Sequence, residues 1–451
     1  MMERKRTTRL AGATLALLLA ASPVLANEGD ERDDVIEELQ KELREFRAEQ
    51  DRMRKEIEEL RTNSDRRDAD LDAAVADVVR GLDTATYAGP SGVRRPKASI
   101  DIGGYFSTRY VSSQKPGKHS SFVDMRLVPQ IHAEISRNIH FDSEIEIEHA
   151  GAGGPADGEI VVEYAELSFV FDPRFVLKAG TLLIPFGHFN LNHDDPMNEL
   201  SERPRVARFI VPSAFDIPGI GAEGAFDMDD GVLSYNVALT NGFRDAFESS
   251  KGARNARGLF EEDENDDKTV FGRMAFVPTA SFIDSLSVAV SGAFGRLGAN
   301  GRGSDRLTGF GVDLQAKEGP WEFMGEYDSF SINRASGTPP PVLPNGDLGP
   351  VRGLDGYYAQ LLYRLDADWL NGLPITEGNA TMAFVLRRDQ VDLNDRVRGA
   401  SGQDDERAWT VGINYRPTAK TVVKIEYRWA DSPGEDGNKR DFFAFEFATY
   451  F

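Results

Sequence analysis

From residue 99 onward, apolar and polar positions alternate along the chain with a period of two. The clearest stretch runs from Ser121 to Ser136. Val123, Met125, Leu127, Ile131, Ala133 and Ile135 share one face, and Asp124, Arg126, Gln130, His132, Glu134 and Ser136 share the other. Successive side chains of a strand point to opposite sides of its sheet, so this segment has one apolar face and one wholly polar face. Strands of soluble sandwiches usually need only five or six residues. A stretch this long suits a membrane β-barrel, with lipid outside and water inside. The pattern recurs in Phe141, Ile145 and Ile147 against Asp142, Glu144, Glu146 and Glu148. It recurs again in Trp321, Phe323 and Tyr327 against Glu322, Glu326 and Asp328, and in Trp409, Val411, Ile413 and Tyr415.

Sixteen strands are predicted. The first eight are 99–112, 121–136, 139–149, 160–171, 174–184, 219–228, 231–241 and 268–277. The rest are 284–296, 306–316, 320–332, 356–366, 379–390, 406–416, 420–430 and 440–451, and fourteen or eighteen strands are the alternatives. An even number is what a closed single-chain bacterial barrel requires. Alternate connections are tight, as at Arg137-Asn138 and Asp229-Asp230. The interleaved ones are longer and hydrophilic, as at 185–218, 242–267 and 333–355, which is the asymmetry of outer-membrane barrels. The expected fold is therefore all-β, with both barrel ends facing the periplasm.

Residues 27–85 carry a different period. Ile36, Leu39, Leu43, Phe46, Gln50, Met53, Ile57 and Leu60 recur at heptad a and d spacing amid Glu, Asp, Arg, Lys and Gln. Such a stripe predicts an oligomerising α-helical coiled coil, with Gln50 fixing register at a core position. A linker at 86–98, with Gly89-Pro90 and Arg94-Arg95, separates the coil from the barrel. Ahead of the coil, Arg4, Lys5, Arg6 and Arg9 precede a short apolar run from Leu10 to Ala21, and Val24-Leu25-Ala26 offers small residues for cleavage. Residues 1–26 read as a secretory signal peptide.

Composition narrows the classes. With mean hydropathy −0.40 and no apolar run near 20 residues, membrane helices are excluded. A net charge of −22 argues against a nucleic-acid partner. Absence of Cys removes disulfides, thiolate metal sites and a Cys nucleophile. The 28 Phe are expected mainly on the lipid face and in the last strand. There Phe443, Phe445, Phe447 and Phe451 alternate toward the end, with Tyr450 beside Phe451. Phe447, Tyr450 and Phe451 resemble the signal read by the bacterial outer-membrane barrel assembly machinery, an expected partner.

Several segments resemble the phosphate-selective porin O and P family, including its dicarboxylate-porin relatives. They are Leu177-Lys178-Ala179-Gly180-Thr181-Leu182-Leu183-Ile184-Pro185-Phe186-Gly187, Thr240-Asn241-Gly242, Gly272-Arg273-Met274-Ala275-Phe276-Val277-Pro278 and Gly356-Tyr357-Tyr358-Ala359-Gln360-Leu361-Leu362-Tyr363. The resemblance covers residues 98 to 451. It implies a homotrimer of sixteen-stranded barrels in outer-membrane lipid and lipopolysaccharide, and a third long loop folded inward to narrow the pore.

That loop, 185–218, holds Arg203, Arg205 and Arg208 together with His188, His193, Asp194 and Asp195. Arg126 and Arg273 on polar strand faces join them as constriction candidates, with Arg109 and Arg364 as further ones. Guanidinium forks match phosphate and carboxylate oxygens, so these arginines either line an anion path or pair with nearby carboxylates; both readings stand. The run Glu261 to Asp267 reads as a solvated loop, with divalent-ion binding as the alternative. No His spacing marks a metal site, no Ser-His pair marks a barrel enzyme, and no cofactor is expected. The leading expectation is a passive porin for small anionic solutes. The alternative is a tether whose periplasmic coil contacts peptidoglycan or another partner.

Overall fold

A computed structural model describes residues 99–451 apart from 114–118, 150–158, 245, 248–251, 258–265, 280–282, 298–304, 335–351, 374, 394–404 and 431–440; it also describes Lys55 and the segments 86–88 and 94–96. The expected signal peptide, the coiled coil and most of the acidic run lie outside the described residues. Within the segment read as a linker, Thr86–Ala88 and Arg94–Pro96 pair as a two-stranded antiparallel ribbon.

Sixteen strands follow. They are β1 (Ser99–Ser113), β2 (Ser121–Ser136), β3 (Ile139–Glu148), β4 (Ile160–Asp172), β5 (Phe175–Leu183), β6 (Asp216–Met228), β7 (Gly231–Asn241) and β8 (Lys268–Pro278). Then come β9 (Ser285–Leu297), β10 (Asp305–Glu318), β11 (Trp321–Asn333), β12 (Gly353–Asp366), β13 (Thr381–Asp392), β14 (Asp405–Arg416), β15 (Thr421–Ala430) and β16 (Phe442–Tyr450). Each pairs antiparallel with its sequence neighbours, and β16 closes on β1 from Phe442↔Ser113 to Tyr450↔Tyr105. Closure leaves no unpaired edge, the condition for a sheet to stand in lipid. Because the strand count is even, both barrel ends lie at the short-turn rim.

The dyad pattern sorts inside from outside. Ile100, Ile102, Val237, Leu239, Val270, Met274, Leu361, Val411, Ile413 and Phe447 face outward and are exposed in the isolated barrel. Near the short turns this face becomes aromatic, with Phe171, Phe175, Phe226, Trp321 and Phe451. Such a band matches the headgroup depth of a membrane barrel. One detail departs from the expected alternation. The alternation predicts Val123 on the apolar face of β2, but Phe122 is the residue exposed there, at 75%. Asp124 takes a left-handed backbone with φ 52°, and the pairing with β1 slips between Ser107 and Arg109. This bulge adds one residue to β2 and shifts the parity ahead of it.

The inner face differs more from expectation. It is not wholly wet: most described Phe residues face lipid as expected, but a group of them lines the lumen instead. Phe186, Phe189, Phe209, Phe215, Phe243, Phe247, Phe271 and Phe330 are all buried in one cluster inside the barrel. Phe186 stacks on Phe330 with centroids 5.3 Å apart, and Phe215 meets Phe271 edge-on at 5.8 Å. The reason is the 184–215 connection, which folds into the lumen and needs an apolar wall to rest on. Phe271, Phe330 and Tyr358 supply that wall from β8, β11 and β12. Burial of each such ring contributes roughly 1.5–3 kcal/mol.

Candidate functional site

Loop 3 leaves β5 at Ile184 and returns to β6 at Asp216, and its two ends are pinned to each other. Asn190 is fully buried; its amide nitrogen donates to Ile184 O at 2.9 Å, and its carbonyl accepts from the Phe215 N–H at 2.8 Å. Replacing Asn190 with Ala leaves both backbone groups without that partner and is expected to destabilise the loop by roughly 1–3 kcal/mol. A lower thermal midpoint together with noisier single-channel current is the expected readout; unchanged values of both contradict this pinning role.

Carboxylates of the barrel wall hold the loop through its backbone. Glu326 on β11 accepts the N–H groups of His188 and Phe189, at 3.1 and 3.0 Å, at the start of the short helix α1 (His188–Leu191). Gly187 precedes it with φ 72°, a left-handed backbone that favours glycine, and a Cβ there would crowd Glu326 Oε1. Glu426 on β15 accepts from Ser201 and Glu202, at 2.7 and 3.2 Å. Asp389 on β13 accepts from Arg205 N at 2.8 Å, at the start of α2 (Arg205–Phe209). Three acids from well-separated strands thus fix the loop across the lumen.

The sequence candidates separate into distinct places. Arg126, Arg203, Arg208 and Asp195 line one cavity of about 220 Å³, joined there by Arg109, Arg254 and Arg257. Six arginines face five acids in this cavity: Asp124, Glu148, Asp195, Glu202 and Glu446. Arg109 pairs with Asp124 and lies 3.0 Å from Glu202, and Arg208 lies 2.6 Å from Glu202. Arg126 reaches Glu146 at 3.0 Å, Glu148 at 2.6 Å and Asp195 at 3.4 Å. Arg203 bonds the Ser213 carbonyl through one nitrogen, while its Nε and other terminal nitrogen are buried without a partner. Burial, reinforced by Arg208, Arg257 and Arg203, lowers the pKa of Arg254 from its ordinary value. Burial raises the pKa of Glu202, but Arg208, Arg109 and Arg205 outweigh it and hold the carboxyl well below the usual range.

Arg205 is not on this cavity. It is 6% exposed, its Nε lies 3.0 Å from Glu406, and its guanidinium sits over the Phe209 ring. Arg273, on β8, pairs with Asp313 at 2.8 Å and does not line this cavity. His193 and Asp194 belong to a second, acidic cavity of about 460 Å³ toward the short-turn half, with Asp142, Glu144, Glu166 and Glu223. His188 lies near Arg273 and Asp313; burial, opposed by Asp313 and aided by Arg273, lowers its pKa to about 4. A base whose pKa is depressed by folding contributes stability above its unfolded value, and that stability is lost as pH falls. The thermal midpoint should therefore drop between about pH 6.5 and pH 4, and His188→Gln should flatten this drop. An identical pH profile in the variant contradicts the assignment.

Sequence reading missed Glu202 as the centre of the arginine cluster, the wall acids Glu326, Glu426 and Asp389, and Arg254 and Arg257. The last two lie in another connection, 242–267, and only folding brings them to loop 3. A usable signal existed for the acids: carboxylates on a strand's inner face where a lumen loop must be anchored.

Residues 110–444 match the family described as phosphate-selective porin O and P. The chain belongs to that family. An uncharacterised protein of Aquifex aeolicus (strain VF5) is 29% identical over 363 residues, covering 76% of this chain and 79% of its own. Salmonella typhi OmpF in complex with daunomycin superposes with a TM-score of 0.52 at 12% identity, over 78% of this chain and 98% of its own. Pseudomonas putida OprB at high pH gives 0.50 at 8% identity, over 78% and 94%. These two likenesses show the fold alone. Family and fold together make the chain an outer-membrane porin.

Proposed function

We propose that this porin passes small anionic solutes of the phosphate or dicarboxylate type by passive diffusion, as a homotrimer. The observation that carries the reading is the crowding of Arg203, Arg208, Arg254 and Arg257 around one cavity. Two Arg203 nitrogens are buried there without a partner, and Arg254 has no ion pair among the described residues. Guanidinium groups held this close repel one another, and a passing oxyanion relieves the repulsion while accepting their hydrogen bonds. Phosphate and carboxylate oxygens suit planar forks better than chloride does. The remaining ion pairs, such as Arg205–Glu406, hold the walls and set the pore's cross-section. Residues 27–85 are proposed as a periplasmic coil that supports the trimer, and barrel insertion as the work of the assembly machinery reading Phe447, Tyr450 and Phe451.

Titrating inorganic phosphate or succinate into chloride-conducting single channels tests the solute class. Each should interrupt chloride current at millimolar concentration, and an uncharged solute of equal size should not. Equal interference by the neutral solute removes the oxyanion reading. Sedimentation of the detergent-solubilised protein at a mass of three protomers is expected; a monomer contradicts the trimer.

A further inference from the structure

One cluster takes no part in the anion path. Ligand atoms of Glu144, His193 and Asp194 all lie within 4.8 Å of one another. Glu163 joins them, its Oε2 3.2 Å from His193 Nε2, and Glu144, Glu163 and His193 are all buried. We propose that Glu144, His193 and Asp194, with Glu163 as fourth donor, bind a divalent first-row transition cation such as zinc.

The surrounding hydrogen bonds favour a ligand here. His193 Nδ1 donates to the Asn190 carbonyl at 2.7 Å, which leaves Nε2 directed at Glu163. This is the orientation that ligating histidines adopt, their other nitrogen held by a backbone carbonyl. Gln130 Nε2 bridges Glu144 Oε2 at 3.1 Å and Asp194 Oδ2 at 3.3 Å, and the Tyr450 hydroxyl donates to the same Asp194 oxygen at 2.9 Å. Glu144 and Asp194 thus each have one oxygen steadied from behind. Glu144 is 2% exposed, yet its Oε1 is buried with no hydrogen-bond partner. An orphan carboxylate oxygen beside two more carboxylates is costly unless a cation or a shared proton offsets it. Zinc bonds imidazole and carboxylate at about 2.0–2.2 Å, which sets tetrahedral ligand atoms roughly 3.3 Å apart, close to the His193–Glu163 spacing. An imidazole among the donors favours a transition cation over calcium or magnesium. Histidine spacing could not reveal this set, because its donors come from β3, β4 and loop 3. His193 and Asp194 line the acidic cavity while Asp195 lines the arginine cavity, so the cation would clamp the loop where the two adjoin.

The test uses the full-length detergent-purified chain, stripped with chelator and dialysed against limiting Zn²⁺. One retained zinc per protomer is expected. Glu144→Gln and His193→Ala should each weaken retention at least about tenfold, judged against the 10–100-fold cost of losing even an outer partner. Glu166→Gln, whose carboxylate lies in the same cavity but pairs with Lys178 at 2.7 Å, should retain the ion. Should either variant misfold, the visible spectrum of Co²⁺-loaded wild type decides alone, through the bands of a four-coordinate nitrogen–oxygen site. No stoichiometric ion in the wild type, or equal retention in well-folded Glu144→Gln and His193→Ala, overturns the proposal and assigns the cluster to a shared proton.

Discussion

Replacing Arg203, Arg208 and Arg254 together with alanine should abolish anion preference. All three line one cavity, Arg203 carries two buried nitrogens without partners, and Arg208 is 42% exposed toward solvent. A unit charge in contact with a passing anion is worth roughly 1 kcal/mol in bulk water and about 4 kcal/mol at the effective dielectric near a protein surface. Losing three such contacts removes at least about 3 kcal/mol, on the order of a hundredfold in relative anion passage. Reversal potentials in a salt gradient read this directly and should move to the cation side. The barrel should survive, because the loop is held mainly by Asn190, Glu326, Glu426, Asp389 and the Phe cluster. A reversal potential equal to wild type removes these arginines from the ion path.

Glu202→Gln should act in the opposite sense on selectivity and strongly on stability. Glu202 is 7% exposed and accepts from Arg208 at 2.6 Å and Arg109 at 3.0 Å. Removing one member of a buried ion pair costs about 3–5 kcal/mol, since the partner is left uncompensated. The lower end applies, because Arg109 keeps Asp124 and Arg208 is partly solvated. The folded-state pKa of Glu202 is depressed, so its stabilisation is present above the unfolded value and lost as pH falls below the carboxylate range. A lower thermal midpoint at neutral pH, with a difference that shrinks in acid, is therefore expected. Anion preference should rise, because a negative charge leaves the cavity. Reduced anion preference with unchanged stability contradicts both halves of the argument.

Much of the barrel was legible because lipid enforces it. Every outward position must be apolar and every strand must pair, so the dyad in 121–136 matches β2 at both ends. β6 begins earlier than read, at Asp216 rather than 219, because Ile217 turns into the lumen's apolar cluster and Pro218 interrupts the pattern. The lumen was less legible. Phe271 and Phe330 sit on inward positions that a two-state pattern counts as wet, and nothing near them in sequence announces the loop that covers them. The arginines of loop 3 were found by residue type, but chemistry alone could not separate Arg203 and Arg208 from the wall residue Arg205. That separation depends on Glu406, far along the chain. Arg254 and Arg257 enter from a different connection, so their convergence with loop 3 exists only in three dimensions.

Planar-bilayer recording of the purified wild-type protein in a salt gradient bears most directly on the anion-channel reading. Stepwise conductance with a reversal potential of anion-preferring sign is expected. Absence of steps, or a reversal potential of cation-preferring sign, contradicts it.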